Sequence, residues 1–147
     1  RLDQGVGSSG GAVGVMQLLR TTGRDPKVGI PNIDKVDANI EAGMKYMNYL
    51  RSRYFDDPEI DQRNQMQLAL GAYNAGPARM ISLRRKAEQQ GYDPNVWFDN
   101  VEIIAAQEIG SETVQYVANI FKYYQAYRMS IARSVERQAA RAEAGIE

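Results

Sequence analysis

The chain contains neither cysteine nor histidine. Their absence excludes thiol nucleophiles, imidazole bases and disulfides, and with them most zinc sites. Any chemistry therefore rests on carboxylates, hydroxyls, amides and tyrosine, and the sequence indicates no cofactor and no metal. The lack of cysteine suits an envelope protein and many cytosolic proteins alike, so it decides little about the compartment.

The chain also has no excess charge of either sign and no long apolar run. Eighteen Lys and Arg residues balance eighteen Asp and Glu residues, so nucleic-acid binding has no electrostatic support. The sequence contains no run of about 20 apolar residues, so it predicts no membrane span. The 147 residues start at Arg1 without a Met, and no signal peptide is visible. We therefore expect one domain that is a fragment or processed product, with any export signal upstream.

Helical periodicity predicts a mainly α protein. The predicted helices are residues 13–19, a segment capped by Asp34 or Asp37 and ending near Tyr54, then 61–74, 77–90, 101–109 and a last helix from Ser111. The apolar stripe expected on the second helix is Val36, Ile40, Met44, Met47, Leu50 and Tyr54. Residues 68–73 are apolar on nearly every side, which predicts that the third helix is central and buried.

The last predicted helix is long and changes character along its length. Two apolar stripes predict a wide buried face; they are Val114, Val117, Phe121 and Tyr124, and Tyr116, Ile120, Tyr123 and Tyr127. Beyond Tyr127, Arg and Glu dominate. We expect residues 1–127 to form the domain and residues 128–147 a charged helical extension, which could be solvated, bind a protein partner or act as a linker.

Residues 8–19 are the most informative stretch, reading Ser-Ser-Gly-Gly-Ala-Val-Gly-Val-Met-Gln-Leu-Leu. Gln17 lies among apolar neighbours, and a buried amide without partners costs about 1–3 kcal/mol. The protein or a polar ligand must satisfy it. A glycine-lined helix contact explains the run equally well, whereas a phosphate loop does not, because neither the glycine spacing nor a Gly-Lys-Ser/Thr sequence is present.

Four short motifs, in order, resemble those of the soluble lytic transglycosylase (SLT) domain. Residues 11–17 resemble its Gly-Ala-x-Gly-Leu-Met-Gln motif, residues 39–43 its Asn-Ile-x-x-Gly, residues 72–76 its Ala-Tyr-Asn-Ala-Gly, and residues 112–117 its Glu-Thr-x-x-Tyr-Val. The resemblance implies a lysozyme-like (goose-type/SLT) helical domain with a central buried helix and a long C-terminal helix. It also implies action on peptidoglycan glycan strands in the periplasm or cell envelope.

The resemblance implies a mechanism with one glutamic acid. In the family this acid protonates the oxygen between N-acetylmuramic acid and N-acetylglucosamine and then takes the proton from the muramic acid C6 hydroxyl. The hydroxyl closes on C1, so the product is 1,6-anhydromuramic acid and no water is consumed. Such an acid needs a raised pKa, which an apolar site provides. Gapless alignment expects this glutamate two positions before Arg1, so the chain as given should lack its catalytic acid.

The resemblance also implies substrate-binding residues. They are Ser8, Met16, Gln17, Thr22, Tyr73, Asn74, Glu112 and Tyr116. Met16 and Tyr73 would form apolar walls for sugar faces, and Tyr116 would offer its hydroxyl. Glu112 is the best candidate within the chain to replace the catalytic acid, but its position better suits a carboxylate at a helix N-terminus, and we do not assign it as the acid. Trp97, beside Phe98, is more typical of a core residue than of a sugar platform.

Three functional hypotheses remain open from the sequence. The first is a peptidoglycan lytic transglycosylase. The second is a glycan-binding module that has lost the catalytic glutamate. The third is a helical scaffold whose Arg- and Glu-rich C-terminal helix, residues 128–147, binds a partner.

Overall fold

The computed structural model describes residues 12–13, 18–19, 29 and 36–145. Two short strands and five helices occupy these residues. They are β1 (Ala12–Val13), β2 (Leu18–Leu19), α1 (Val36–Tyr54), α2 (Gln62–Ala75), α3 (Pro77–Gln89), α4 (Glu102–Ile109) and α5 (Ser111–Glu143). A kinked turn over Trp97–Val101 precedes α4. The mainly α prediction is confirmed, and the bounds of α2 and α3 lie within one residue of those expected.

Helix α2 is the centre of the molecule and packs against α1, α3 and α5. Every residue from 66 to 72 is buried, as its apolar sequence predicts. The helix starts at Asp61, whose Oδ1 accepts a hydrogen bond from the Asn64 backbone N–H at 2.8 Å. It stops at Gly76, whose φ of 97° favours glycine. Because α2 is capped at its start by Asp61 and ended by Gly76, its C-terminal residues have a fixed position in the fold.

The buried face of α1 differs from the expected stripe. Met44 is 50% exposed, whereas Asn39, Ala42 and Leu50 are fully buried. Asn39, Ala42, Tyr46 and Leu50 follow a spacing of three to four residues, so they share one face of the helix. The expected stripe is confirmed at Met47 and Leu50 but wrong at Met44, because the face that packs in the core is rotated towards Asn39, Ala42 and Tyr46. Asp37 lies inside the helix and is not its cap.

The helix predicted over residues 13–19 is wrong where the structure describes it. Strands β1 and β2 pair antiparallel, with Ala12 opposite Leu19 and Val13 opposite Leu18. The residue types explain the difference, because glycine and β-branched valine are poor helix formers and valine favours strands. Contacts reach from β2 to α1.

The chain between α3 and α4 is pinned by side chains. The Trp97 backbone N–H donates to Asn64 Oδ1 at 3.0 Å. Arg84 donates through Nε to the Pro94 carbonyl at 2.8 Å and through Nη2 to Asn95 Oδ1 at 2.9 Å. The Trp97 ring is 1% exposed, which agrees with its predicted core role. These hydrogen bonds fix the segment between α3 and α4 against α2 and α3.

Helix α5 leaves the core partway along its 33 residues. Val117 and Phe121 are buried, but every residue from 125 to 145 is exposed. The second predicted stripe is therefore wrong beyond Ile120, since Tyr123 is 44% and Tyr127 60% exposed. Among the described residues, no helix combines the length and the hydropathy that crossing a membrane requires.

Candidate functional site

The C-terminal end of α2 meets the first turns of α5 through a hydrogen bond. Thr113 Oγ1 donates to Asn74 Oδ1 at 2.7 Å, and Thr113 is only 5% exposed. Asn74 lies two residues before Gly76, where α2 must end, and Thr113 lies two residues after α5 begins. The bond therefore joins one helix end to another. Thr113 was missing from the predicted site residues, although it is the second residue of the predicted motif at 112–117.

Four tyrosine rings form a row beside this junction. The Tyr73 and Tyr116 rings are stacked, with centroids 6.1 Å apart and planes 12° apart. Tyr46 of α1 packs on Tyr73 at 5.4 Å, and Tyr49 stacks on Tyr46 at 6.4 Å. Aromatic pairs at these distances add stability beyond that of their buried area. The row thus ties α1, α2 and α5 together at one level of the molecule.

The two α1 tyrosines were not among the predicted site residues. Their spacing of three residues on one helix face was a usable signal, because a buried helix face with two phenols needs polar partners. The sequence by itself does not show which helix this face meets.

Burial favours the neutral form of the stacked tyrosines Tyr73 and Tyr116. It raises the pKa of Tyr73, and the neighbouring Tyr116 and Tyr46 raise it further. Burial also raises the pKa of Tyr116. Both phenols therefore stay neutral at physiological pH and can donate hydrogen bonds rather than act as anions or bases.

The Tyr116 hydroxyl is an unsatisfied polar group among the described residues. Its oxygen is buried and makes no hydrogen bond to any described residue. A buried polar group without a partner costs about 1–3 kcal/mol. A group with this cost is retained more readily when a ligand or a reacting group satisfies it.

Glu112 stands apart from this cluster. It is exposed in the first turn of α5, where the positive end of the helix dipole favours a carboxylate. It precedes Tyr116 by four residues, so the two share one side of the helix. The structure thus brings together Tyr73, Asn74 and Tyr116, and places Glu112 one turn away at the surface.

The other predicted site residues lie outside the described residues; they are Ser8, Met16, Gln17 and Thr22. Two further carboxylates among the described residues form ion pairs at the surface: Glu41 pairs with Lys45 at 3.5 Å and Glu108 with Lys86 at 3.0 Å. Within the described part of the chain, no group of three or more acidic side chains is arranged to hold a metal ion.

Comparison with known proteins assigns the chain to a family. The family model for the transglycosylase SLT domain matches residues 1–96, about two thirds of the chain. The chain belongs to the transglycosylase SLT domain family. The resemblance read from the motifs is thereby confirmed, as is the expected lysozyme-like helical fold. Three of the four SLT motifs fall inside the matched range; the one at residues 112–117 lies beyond it.

Curated relatives of this SLT domain include proteins named membrane-bound lytic murein transglycosylase F. The chain is 34% identical to the protein of Marinobacter nauticus, covering 78% of this chain and 24% of that protein. It is 32% identical to that of Desulfosudis oleivorans and 30% identical to that of Pseudomonas fluorescens, covering 78% and 81% of this chain. The chain spans about a quarter of the length of these relatives, 27% and 26% for the latter two.

Proposed function

We propose that this SLT domain is the glycan-cleaving part of a peptidoglycan lytic transglycosylase of the cell envelope. It cleaves the β-1,4 bond between N-acetylmuramic acid and N-acetylglucosamine and forms 1,6-anhydromuramic acid. Membership of the SLT family carries the proposal. The names of the relatives support the same reaction class and an envelope location.

The junction of α2 and α5 supports a sugar-binding role. The neutral, half-buried Tyr73 and Tyr116 provide aromatic surface, which suits the apolar face of a sugar ring. The buried Tyr116 hydroxyl makes no hydrogen bond among the described residues, which supports a role in contacting the catalytic carboxyl or a sugar hydroxyl. Asn74, whose Oδ1 accepts the hydrogen bond from Thr113, is the polar group at the floor of the proposed sugar site. Ser8, Met16, Gln17, Thr22 and Glu112 complete the proposed substrate-binding set.

The catalytic acid of the proposed reaction is a glutamate two positions before Arg1. It gives its proton to the glycosidic oxygen, the C1–O bond breaks, and the muramic acid C6 oxygen bonds to C1. The glutamate recovers its proton from that C6 hydroxyl, so the enzyme returns to its starting state without water. One carboxyl serves as acid and then as base, unlike the paired carboxyls of most glycosidases.

A comparison of three proteins tests this proposal. They are the 147-residue chain, the chain with Glu-Ser added before Arg1, and the chain with Gln-Ser added there. Each is incubated with purified peptidoglycan, and the products are analysed by mass spectrometry. Only the Glu-Ser protein should release anhydromuropeptides. Reducing-end products would show hydrolysis instead, and equal activity of the Glu-Ser and Gln-Ser proteins would refute the assigned acid.

The alternative is a glycan-binding module without catalysis. Its support is that Glu112, the best acidic candidate in the chain, is exposed and lies outside the Tyr73–Tyr116 stack. It predicts that all three proteins bind a chitin oligosaccharide and that none of them cleaves peptidoglycan.

The proposed domain comprises residues 1–127, followed by a helical extension over residues 128–147. The support is that every residue from 125 to 145 is exposed, while Phe121 still lies in the core. A protein partner for this extension remains part of the proposal. Limited proteolysis should cut after residue 127 and leave a folded product if the boundary is right.

A further inference from the structure

The distal half of α5 carries an apolar stripe that no described residue covers. Every residue from 125 to 145 is exposed, including the large apolar side chains of Tyr127, Ile131 and Val135. Their spacing of four residues places them on one side of the helix. Buried Phe121 lies two heptads before Val135, so it occupies nearly the same side. The face that packs in the core therefore continues, uncovered, beyond the domain.

This stripe follows a heptad spacing, in alternating steps of three and four residues. Its positions are Phe121, Tyr124, Arg128, Ile131, Val135, Gln138, Ala142 and Gly145. Such spacing favours a pair of helices whose stripes pack against each other. The side chains become smaller along the stripe, from Ile131 and Val135 to Ala142 and Gly145. Because facing layers pack best where large residues meet small ones, the stripe complements a copy of itself that runs in the opposite direction.

The sizes define one antiparallel register. If Ile131 packs on Ala142 of a second copy, Val135 packs on Gln138 of that copy. The two-fold symmetry of such a pair makes each of these contacts twice. The paired segment, residues 128–145, is about 27 Å long.

The residues beside the stripe agree with this register. On one side Ala132 lies next to Ala139 of the second copy, and these small side chains let the two helices approach closely. On the same side Arg128 meets Glu143 of the second copy. Over residues 36–145, neither Arg128 nor Glu143 forms an ion pair within its own chain. A dimer would contain two such ion pairs, one at each end of the paired segment.

Like charges stay apart in the same register. Arg133 and Arg137 lie on the side of α5 that faces away from the stripe, so they do not meet in the pair. Arg141 lies beside Ser134 of the second copy, whose hydroxyl can accept a hydrogen bond. The excess of arginine in the extension therefore does not oppose self-association at the stripe.

A positively charged groove lies where the second copy would end. The C-terminal part of α1, the start of α2 and the middle of α5 enclose about 640 Å³, and Arg51, Arg63 and Arg128 line this space. Asp61 is the one carboxylate in the lining, and it already caps α2. The antiparallel register brings the last turn of the second helix, with Glu143, to this edge of the domain. Complementary charge thus favours the same contact as the packing of the stripe.

We propose that residues 128–145 of α5 pair antiparallel with the same residues of a second copy, forming a two-fold symmetric dimer. The inference goes beyond the proposed reaction and identifies the partner of the helical extension. One helical pair would then hold two SLT domains at its opposite ends. The interface is small, so the dimer should exchange with monomer at about micromolar concentrations.

Sedimentation of the 147-residue chain at about 1 to 500 μM tests self-association. The mass should rise from one chain to two across this range. Ile131→Asn removes stripe contacts from both copies and should weaken dimerisation by about tenfold or more. Met129→Asn removes an exposed apolar residue from the opposite side of α5 and should leave it unchanged. A single-chain mass at every concentration, or equal effects of the two variants, would overturn the inference.

A charge exchange tests the register. Arg128→Glu and Glu143→Arg each place like charges together at both ends, so each variant alone should dimerise about tenfold more weakly or worse. An equimolar mixture of the two variants should recover the dimer, because each chain then supplies the charge that the other needs. Arg133→Glu makes the same change away from the stripe and should have no effect. Failure of the mixture to recover the dimer would overturn the register.

Single cysteines test the direction of pairing, since the chain has none of its own. Under mild oxidation, a mixture of Ala132→Cys and Ala139→Cys chains should form disulfide-linked pairs of unlike chains. Either variant alone should cross-link slowly, because the register separates like positions by about 10 Å along the helix. Faster cross-linking of like positions would show parallel pairing and overturn the inference.

A membrane surface is the competing occupant of the stripe. Vesicles containing an anionic phospholipid are mixed with the wild-type chain and with Ile131→Asn, and binding is measured by co-sedimentation. Binding that depends on Ile131, by a chain that stays monomeric at about 500 μM, would assign the stripe to the membrane and overturn the inference.

Discussion

Replacing Thr113 with valine tests whether the bond between α2 and α5 organises the candidate site. Valine keeps the shape and β-branching of threonine but removes the hydroxyl that donates to Asn74 Oδ1 at 2.7 Å. Thr113 is 5% exposed, so water cannot easily replace the lost donor. The oxygen of Asn74 is then left without this partner, which costs about 1–2 kcal/mol. For a domain of this size the melting temperature should fall by about 2–8 °C.

Urea denaturation followed by circular dichroism measures the change in unfolding free energy. Thr113→Ser retains the hydroxyl and is the matched control, so it should recover most of the stability. Combining Thr113→Val with Asn74→Ala should give a coupling energy of about 1 kcal/mol, because both changes remove one bond. A Thr113→Val protein within about 0.3 kcal/mol of the wild type, or additive effects of the two changes, would refute the reasoning.

Three further predictions concern the core and the tyrosines. A Cβ at Gly71 would collide with the methyl group at the flexible end of buried Met80, while alanine gains about 1 kcal/mol of helix propensity over glycine, so Gly71→Ala should destabilise the protein by no more than about 1–2 kcal/mol in urea denaturation, and adding Met80→Leu should recover the loss. Tyr116→Phe removes an unpartnered hydroxyl; it should leave stability unchanged or raise it by up to about 1 kcal/mol, while calorimetry should show weaker chitin oligosaccharide binding. A large loss of stability would instead assign the hydroxyl a structural role. The raised pKa of Tyr73 means that its protonated form is favoured by folding, so its contribution is complete below the ordinary value of about 10 and declines as the pH rises above it. Unfolding free energies from pH 8 to about 11 should therefore fall more steeply for the wild type than for Tyr73→Phe, and parallel curves would contradict the assignment.

Helix positions were largely predictable because their signals are local. Asp61 caps α2, and glycine at 76 ends it, within one residue of the expected bounds. The apolar run at residues 68–73 indicated a buried central helix, and it is one. By contrast, the helix predicted over residues 13–19 is replaced by the β1–β2 pair where the chain is described. At these residues the low helix propensity of glycine and valine mattered more than the apparent helical spacing of the apolar side chains.

The candidate site was predictable only in part. Tyr73, Asn74 and Tyr116 were found from motifs, and the structure places them side by side. Tyr46 and Thr113 were missed, since neither position shows from the sequence which helix it faces. The groove lined by Arg51, Arg63 and Arg128 was also missed, because these arginines are far apart in sequence and each resembles an ordinary surface residue.

The amino-acid sequence alone determined the family, the helical class and the start and end of the central helices, since these depend on short motifs and on neighbours within a few residues. Only the tertiary structure decided which face of α1 is buried, that Thr113 holds Asn74, and that Arg51, Arg63 and Arg128 surround one groove. The physical reason is that side-chain contacts between helices depend on how each helix is rotated and crossed against its neighbours, and packing of the whole core sets those angles.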